Sequence, residues 1–180
     1  AYNAGERYYT GGPYGDLNQQ FAQNARSMYN LATYTRNENF PVYMMSLAET
    51  DLFLAEAALK GLGTTGKTPS EHIKDAIRHS TNFWYTINQK SPFATNVSLM
   101  HPAKPSNTDI TIYADSIAAR FDSRATMDDK MEILMQQKYV HLNLMCPYEL
   151  WSELRRTRHP KLEPMTFNTK VMKPLPERLR

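Results

Sequence analysis

Cysteine is all but missing from this chain of 180 residues: its one example, Cys146, permits no internal disulfide and no metal site built from several thiolates. Long apolar runs are missing too. No stretch approaches the roughly 18 apolar residues of a membrane-spanning helix, and no charged start leads into an apolar segment as in a signal peptide. There is no Walker loop, no GxGxxG and no HExxH. The histidines stand at 72, 79, 101, 141 and 159; His72 and His79 share a helical face, but the neighbouring sequence offers no carboxylate to complete a site. Neither a metal nor a cofactor is expected. Cys146 has no catalytic-histidine motif near it and reads as a small core residue rather than a nucleophile. Charge of one sign is scarce as well: 21 Lys and Arg against 18 Asp and Glu leave +3, too little to argue for nucleic acid.

What is there describes a globular chain. Hydrophobic residues make up 41%, charged 22% and aromatic 11%, enough apolar surface to exclude bulk disorder. Residues 1–40 are rich in Tyr, Gly and Asn without helical or strand period, a composition of turns and exposed loops. From Pro41 to Lys60 the sequence PVYMMSLAETDLFLAEAALK predicts a helix apolar around most of its circumference, with Leu47, Leu54 and Ala58 on one side and Met45, Leu52 and Leu59 on another. Lys60-Gly61 offers its C-terminal cap. Thr68-Pro69-Ser70-Glu71 is a capping box, so a second helix starts there with Ile73, Ala76, Ile77, Trp84 and Ile87 as one stripe. The two helices should form a hairpin. Three prolines make residues 91–107 an irregular excursion; further helices are predicted over 111–121, 126–145 and from Pro147 onward. In the fourth helix Met131, Leu134, Ile133 and Val140 supply the apolar side. The fold class is all-α: helix pairs with long irregular loops.

Two constellations could carry function. Glu49 and Glu56 lie seven residues apart on one face of the first helix, and paired carboxylates are what a glycoside hydrolase uses. In ELWSELRRTRHP, Trp151, Leu154, Arg155 and Arg158 share one face, with Glu149, Ser152, Glu153 and Arg156 opposite. If the tryptophan face is the packed one, Arg155 or Arg158 must find a buried acid, and Glu49 or Glu56 is the expected partner, clasping the last helix onto the hairpin. Tyrosines in a glycine-rich loop are either packing pins for an irregular segment or flat platforms presented to a ligand. Tyr8, Tyr9, Tyr14 and Asn18 in the glycine-rich loop are the candidate ligand-binding residues.

Read together, PVYMMSLAETDLFLAEAALKG, AIRHSTNFWYTINQ, MEILMQQKYVHLN and ELWSELRRTRHP, with the closing PLPERLR, resemble the C-terminal half of the SusD/RagB-like outer-membrane nutrient-binding proteins of Bacteroidetes. The AE-x-x-(large apolar)-x-AEA block at 48–57 and the Gln137-Lys138 helix followed by Trp151 and Arg155-Arg156-Thr157 carry the resemblance most strongly. It implies tetratricopeptide-like helix pairs and a non-enzymatic surface lipoprotein of the outer membrane. Such a protein captures glycans or sometimes peptides and serves as a lid on a TonB-dependent, SusC-like transporter. The family's lipidated cysteine would lie upstream of residue 1, so membrane contact is expected only through an anchor outside these residues. The chain opens on Ala1 and its tail stops without a helix end; the expectation is one SusD-like domain truncated at both ends, with residues 1–40 an irregular segment, 41–160 a helical scaffold and 161–180 an extended tail. Two other readings stay open: a tetratricopeptide-like scaffold for a protein or peptide partner, and a glycoside hydrolase using Glu49 and Glu56.

Overall fold

The computed structural model describes residues 30, 32–34, 36–92, 103–142, 144–162, 166–167 and 170–171. Among them are five α-helices: α1 (Leu47–Leu59), α2 (Pro69–Gln89), α3 (Asn107–Asp122), α4 (Met127–Leu142) and α5 (Pro147–Thr157). A ladder of two residues per strand, β1 (Thr166–Phe167) against β2 (Lys170–Val171), pairs antiparallel with Thr166 opposite Val171. Apart from that short ladder, the regular structure of the described residues is helical, as the sequence predicts.

Local chemistry sets the helix boundaries. Thr68 caps α2, its side chain accepting from Glu71 N while the Glu71 carboxylate takes the Thr68 N–H at 2.7 Å. At the end of α1, Gly61 (φ 67°) donates to Ala58 O and Leu62 to Ala57 O, the paired bonds of a Schellman turn that a β-carbon would strain. Two starts differ from expectation. α1 begins at Leu47 rather than Pro41, because Ser46 accepts from Glu49 N and stops the helix from extending backward. α3 begins at Asn107 rather than 111, because Ser106 and Asp109 form a capping box that the sequence reading passed over. α4 ends at Leu142, where Met145 and Cys146 both donate to the Leu142 carbonyl. Pro147 then opens α5.

One core joins four helices: Leu52 and Ala55 of α1, Ile73, Ala76 and Ile77 of α2, Ala114 and Phe121 of α3, and Met131, Ile133, Leu134 and Met135 of α4. Alanines at 55, 76 and 114 let the backbones approach, and each large side chain buried there contributes about 1.5–3 kcal/mol. The core corrects the first-helix expectation. α1 is buried along Ala48, Glu49, Leu52, Ala55 and Glu56, while Leu47 is 68% exposed and Met45 lies in solvent. Val140 is exposed too, because α4 turns Met131, Leu134, Met135, Lys138, His141 and Leu142 inward instead.

The hairpin α1–α2 holds the preceding segment by amides. Asn37 Nδ2 donates to Ile87 O at 3.0 Å, Asn88 Nδ2 to Thr33 Oγ1 at 2.8 Å, and Asn39 Nδ2 to Lys90 O at 2.8 Å. Ala32, Thr33 and Asn37 are buried, so the expected exposed loop is, over residues 32–34 and 36–40, a strap packed on the end of α2. Trp84 leaves the predicted stripe to meet this strap, its ring 5.1 Å from Tyr34 and 6.4 Å from Phe40.

Candidate functional site

The densest chemistry lies where α5 crosses α1 and α4. Lys138 of α4 is 1% exposed, a position that no free ammonium could hold. Its charge is met three ways: Nζ stands 3.3 Å from Glu153 Oε1, 3.5 Å from Glu149 Oε1 and 3.8 Å from the centroid of the Phe53 ring. Glu153, the one buried residue of α5, passes its other oxygen to Arg156 at 2.6 Å. Arg156 in turn grips Glu56 of α1 with both guanidinium branches, at 2.5 and 2.7 Å, and Lys60 closes the line on Glu56 Oε1. Signs therefore alternate from Lys138 through Glu153, Arg156 and Glu56 to Lys60, tying three helices.

Burial pushes the Glu56 carboxyl up, but the hydrogen bonds and charges of Arg156 and Lys60 outweigh it and hold the group down at about 2. The same bond to Glu56 raises Arg156 further above its ordinary range, against a smaller opposing effect of burial.

The clasp is the one expected in kind and a different one in detail. Arg156 makes it, not Arg155 or Arg158, and the tryptophan face of α5 is the outer one. Trp151 is 53% exposed and Tyr148 is 86% exposed; Arg155 lies over the Trp151 ring with Cζ 4.6 Å from its centroid. The wheel inverted because the buried side of α5 is paved with charge. α4 presents Lys138 and α1 presents Glu56, so Glu153 and Arg156 face inward to meet them.

A second junction forms at the start of α1. His141 of α4 is buried, with Nε2 2.7 Å from Ser46 Oγ and Nδ1 2.9 Å from Ser80 Oγ, and its carbonyl accepts the Trp84 indole N–H at 3.1 Å. Phe83, Trp84 and Tyr43 surround the ring edge to face. Burial drives His141 down to about 4, so it sits there neutral. Tyr43 donates its phenol to Glu49 Oε2 at 2.5 Å, and burial followed by that bond raises the phenol above its ordinary value. Beside them Cys146 is half-buried rather than in the core, its thiol raised by burial and by Glu49 and Glu149.

These arrangements leave the glycosidase reading without its residues. Glu49 is buried against Tyr43 and Glu56 is spent on Arg156 and Lys60, so neither is an acid or base facing a cleft. Of the two histidines of α2, His79 does meet a carboxylate, supplied by α1, its Nδ1 2.6 Å from Asp51, while His72 Nδ1 stands 3.9 Å from the other oxygen of that group, beyond hydrogen-bond distance. Among the described residues no group of three or more such side chains could hold a metal ion.

Past α5 the chain turns through Arg158, in the left-handed region at φ 66°, and buries His159. Its Nδ1 lies 2.7 Å from Glu132 and its Nε2 3.0 Å from Asp128, while Lys161 reaches Asp128 with Nζ and Glu132 with its backbone N–H, both at 2.9 Å. The first residues of the tail are thereby pinned to α4.

Tyr8, Tyr9, Tyr14 and Asn18, and most of the excursion at 91–107, lie outside the described residues. Lys138, Arg156 and His141 are the residues that sequence reasoning missed. For two of them a signal existed: Lys138 and His141 fall at i+7 and i+10 from Met131, on the apolar stripe of α4. A cation on a core stripe, eleven and fifteen residues ahead of two glutamates on the next helix, is a readable request for partners.

A family model described as SusD-like_2, starch-binding associating with outer membrane, matches residues 2–180. No curated protein and no solved structure matches the chain.

Proposed function

The chain belongs to the SusD-like family, and from that premise we propose that it captures nutrient glycans at the cell surface and delivers them to a TonB-dependent, SusC-like transporter of the outer membrane. The observation that carries this reading is a family match, described by starch binding and outer-membrane association, that runs over nearly the whole chain. In this reading residues 1–180 are the C-terminal part of one such domain, a lipoprotein whose anchor precedes them, and the work is binding rather than chemistry.

The scaffold supports it. A binding face gains affinity when the elements beneath it are already ordered, because less side-chain and backbone freedom is lost on contact. The Lys138-to-Lys60 line and the His159 latch provide that order. The ligand contacts are assigned to Tyr8, Tyr9, Tyr14 and Asn18, aromatic faces for the apolar side of a pyranose and an amide for its hydroxyls. Replacing the three tyrosines with alanine and titrating maltotetraose by calorimetry tests the assignment. At least a tenfold loss of affinity is expected, and unchanged affinity would overturn it.

A partner in the membrane is supported by the exposed apolar residues Val42, Met44, Met45 and Leu47, on either side of the part-buried Ser46–His141 contact. The same residues are what a scaffold for another protein would need. Met44→Asp with Leu47→Asp should abolish co-purification of a transporter from detergent-solubilised outer membranes while leaving glycan affinity unchanged. Recovery of a partner that is not a transporter would favour the scaffold reading.

A further inference from the structure

The face of α5 that was expected to pack is uncovered, and its composition is specific. Tyr148, Trp151 and Arg155 follow one another at i, i+3 and i+7, which sets them along one side of the helix over about 10 Å, and Arg158, exposed at the left-handed C-cap, comes just past the helix end. Two exposed rings thus stand beside two solvated guanidiniums. Exposed aromatics of this size are uncommon outside binding surfaces.

Among the described residues the charges on this side have no carboxylate partner, for a structural reason. Both glutamates of α5 are turned the other way and committed, Glu149 and Glu153 to Lys138, and Glu153 also to Arg156. Among the described residues, no carboxylate pairs with Arg155 or Arg158, and Arg155 is steadied against Trp151 instead. A guanidinium held beside an indole presents its N–H edge, a fork matched to a carboxylate, while the exposed part of the ring suits the apolar face of a pyranose.

We propose that Tyr148, Trp151, Arg155 and Arg158 form a platform for an acidic glycan, an oligosaccharide bearing uronate carboxylates, separate from the tyrosine loop. The aromatic pair supplies stacking and the arginines select for the negative charge. A neutral sugar would leave both guanidiniums unanswered, and a phosphate chain would use the arginines without needing Trp151. This inference rests on the glycan-capture reading and narrows it to a ligand class.

The test is calorimetric titration of the full chain with tetragalacturonate and, in parallel, maltotetraose. Tighter binding of the acidic sugar is expected, weakening as salt rises. Trp151→Ala should reduce galacturonate affinity at least tenfold, and Arg155→Gln and Arg158→Gln each several-fold, with maltotetraose affinity and Tm unchanged because all three side chains lie in solvent. Binding of maltotetraose with no preference for the acidic sugar, or galacturonate affinity untouched in these variants, overturns the platform and leaves glycan capture standing. A chain that binds neither sugar counts against glycan capture itself. Should Trp151→Ala strip off a protein partner while galacturonate binding persists, the stripe is a protein interface and the proposal fails.

Discussion

Arg156 and Arg155 are neighbours in sequence with opposite structural fates. Arg156→Met leaves the buried Glu56 with Lys60 alone and Glu153 with Lys138 alone, and although the guanidinium itself is part-exposed, a loss of about 2 kcal/mol is expected. Arg155→Met removes only a surface stacking contact and should shift stability by less than about 0.5 kcal/mol. Urea titrations of the two variants decide between this clasp and the one expected from the helical wheel. His141 supplies a second residue-scale consequence. Its folded value of about 4 lies below the ordinary 6.5, so the unfolded chain binds a proton first as pH falls. Its contribution is fully present above about pH 6.5 and is lost between there and pH 4, on the order of 3 kcal/mol. Glu56, held at about 2, adds a further loss between about pH 4.5 and 2. His141→Gln should flatten the upper of these two limbs, measured as the urea midpoint at pH 7, 5.5 and 4.

The helices owe their ends to side chains that can be removed singly. Thr68→Ala and Ser106→Ala each delete a capping box and should cost about 1 kcal/mol, read as a drop in Tm. Gly61→Ala should cost a similar amount for another reason: no atom lies within 4 Å of the place its β-carbon would take, so the penalty is the left-handed backbone alone. The boundary readings follow the same division. The start of α2 was legible because Thr68, Pro69 and Glu71 sit together before an apolar stripe. Those of α1 and α3 were misplaced, though Ser46-x-x-Glu49 and Ser106-x-x-Asp109 carry the same pattern. At α1 the helix formers Met44 and Met45 ahead of the cap obscured it, and at α3 the weak formers Asn107, Thr108 and Asp109 behind it did.

At the scale of the molecule, α5 is attached chiefly through charge and the hairpin α1–α2 through hydrocarbon. That difference predicts unequal loosening. In Arg156→Met, hydrogen exchange should accelerate across residues 147–157 well before it does in α1 or α2, and equal acceleration everywhere would mean that the clasp belongs to the global fold. Such an arrangement keeps an apolar scaffold intact while leaving the outer face of α5 in solvent.

The amino-acid sequence by itself determined the helical class, the α1–α2 hairpin, the position of α5 after Pro147 and the family signature, because caps, prolines and apolar spacing act over a few residues. It also showed that Glu49 and Glu56 would need partners. Which partner each received was decided only by tertiary structure. A helical wheel ranks faces by hydrophobicity, and it put Trp151 inward; the fold put Glu153 and Arg156 inward, because the surfaces that α5 meets carry Lys138 and Glu56. An ion pair between residues 100 positions apart has no local period to announce it. That reversal is what leaves Trp151 and its arginines in solvent, where a ligand can reach them.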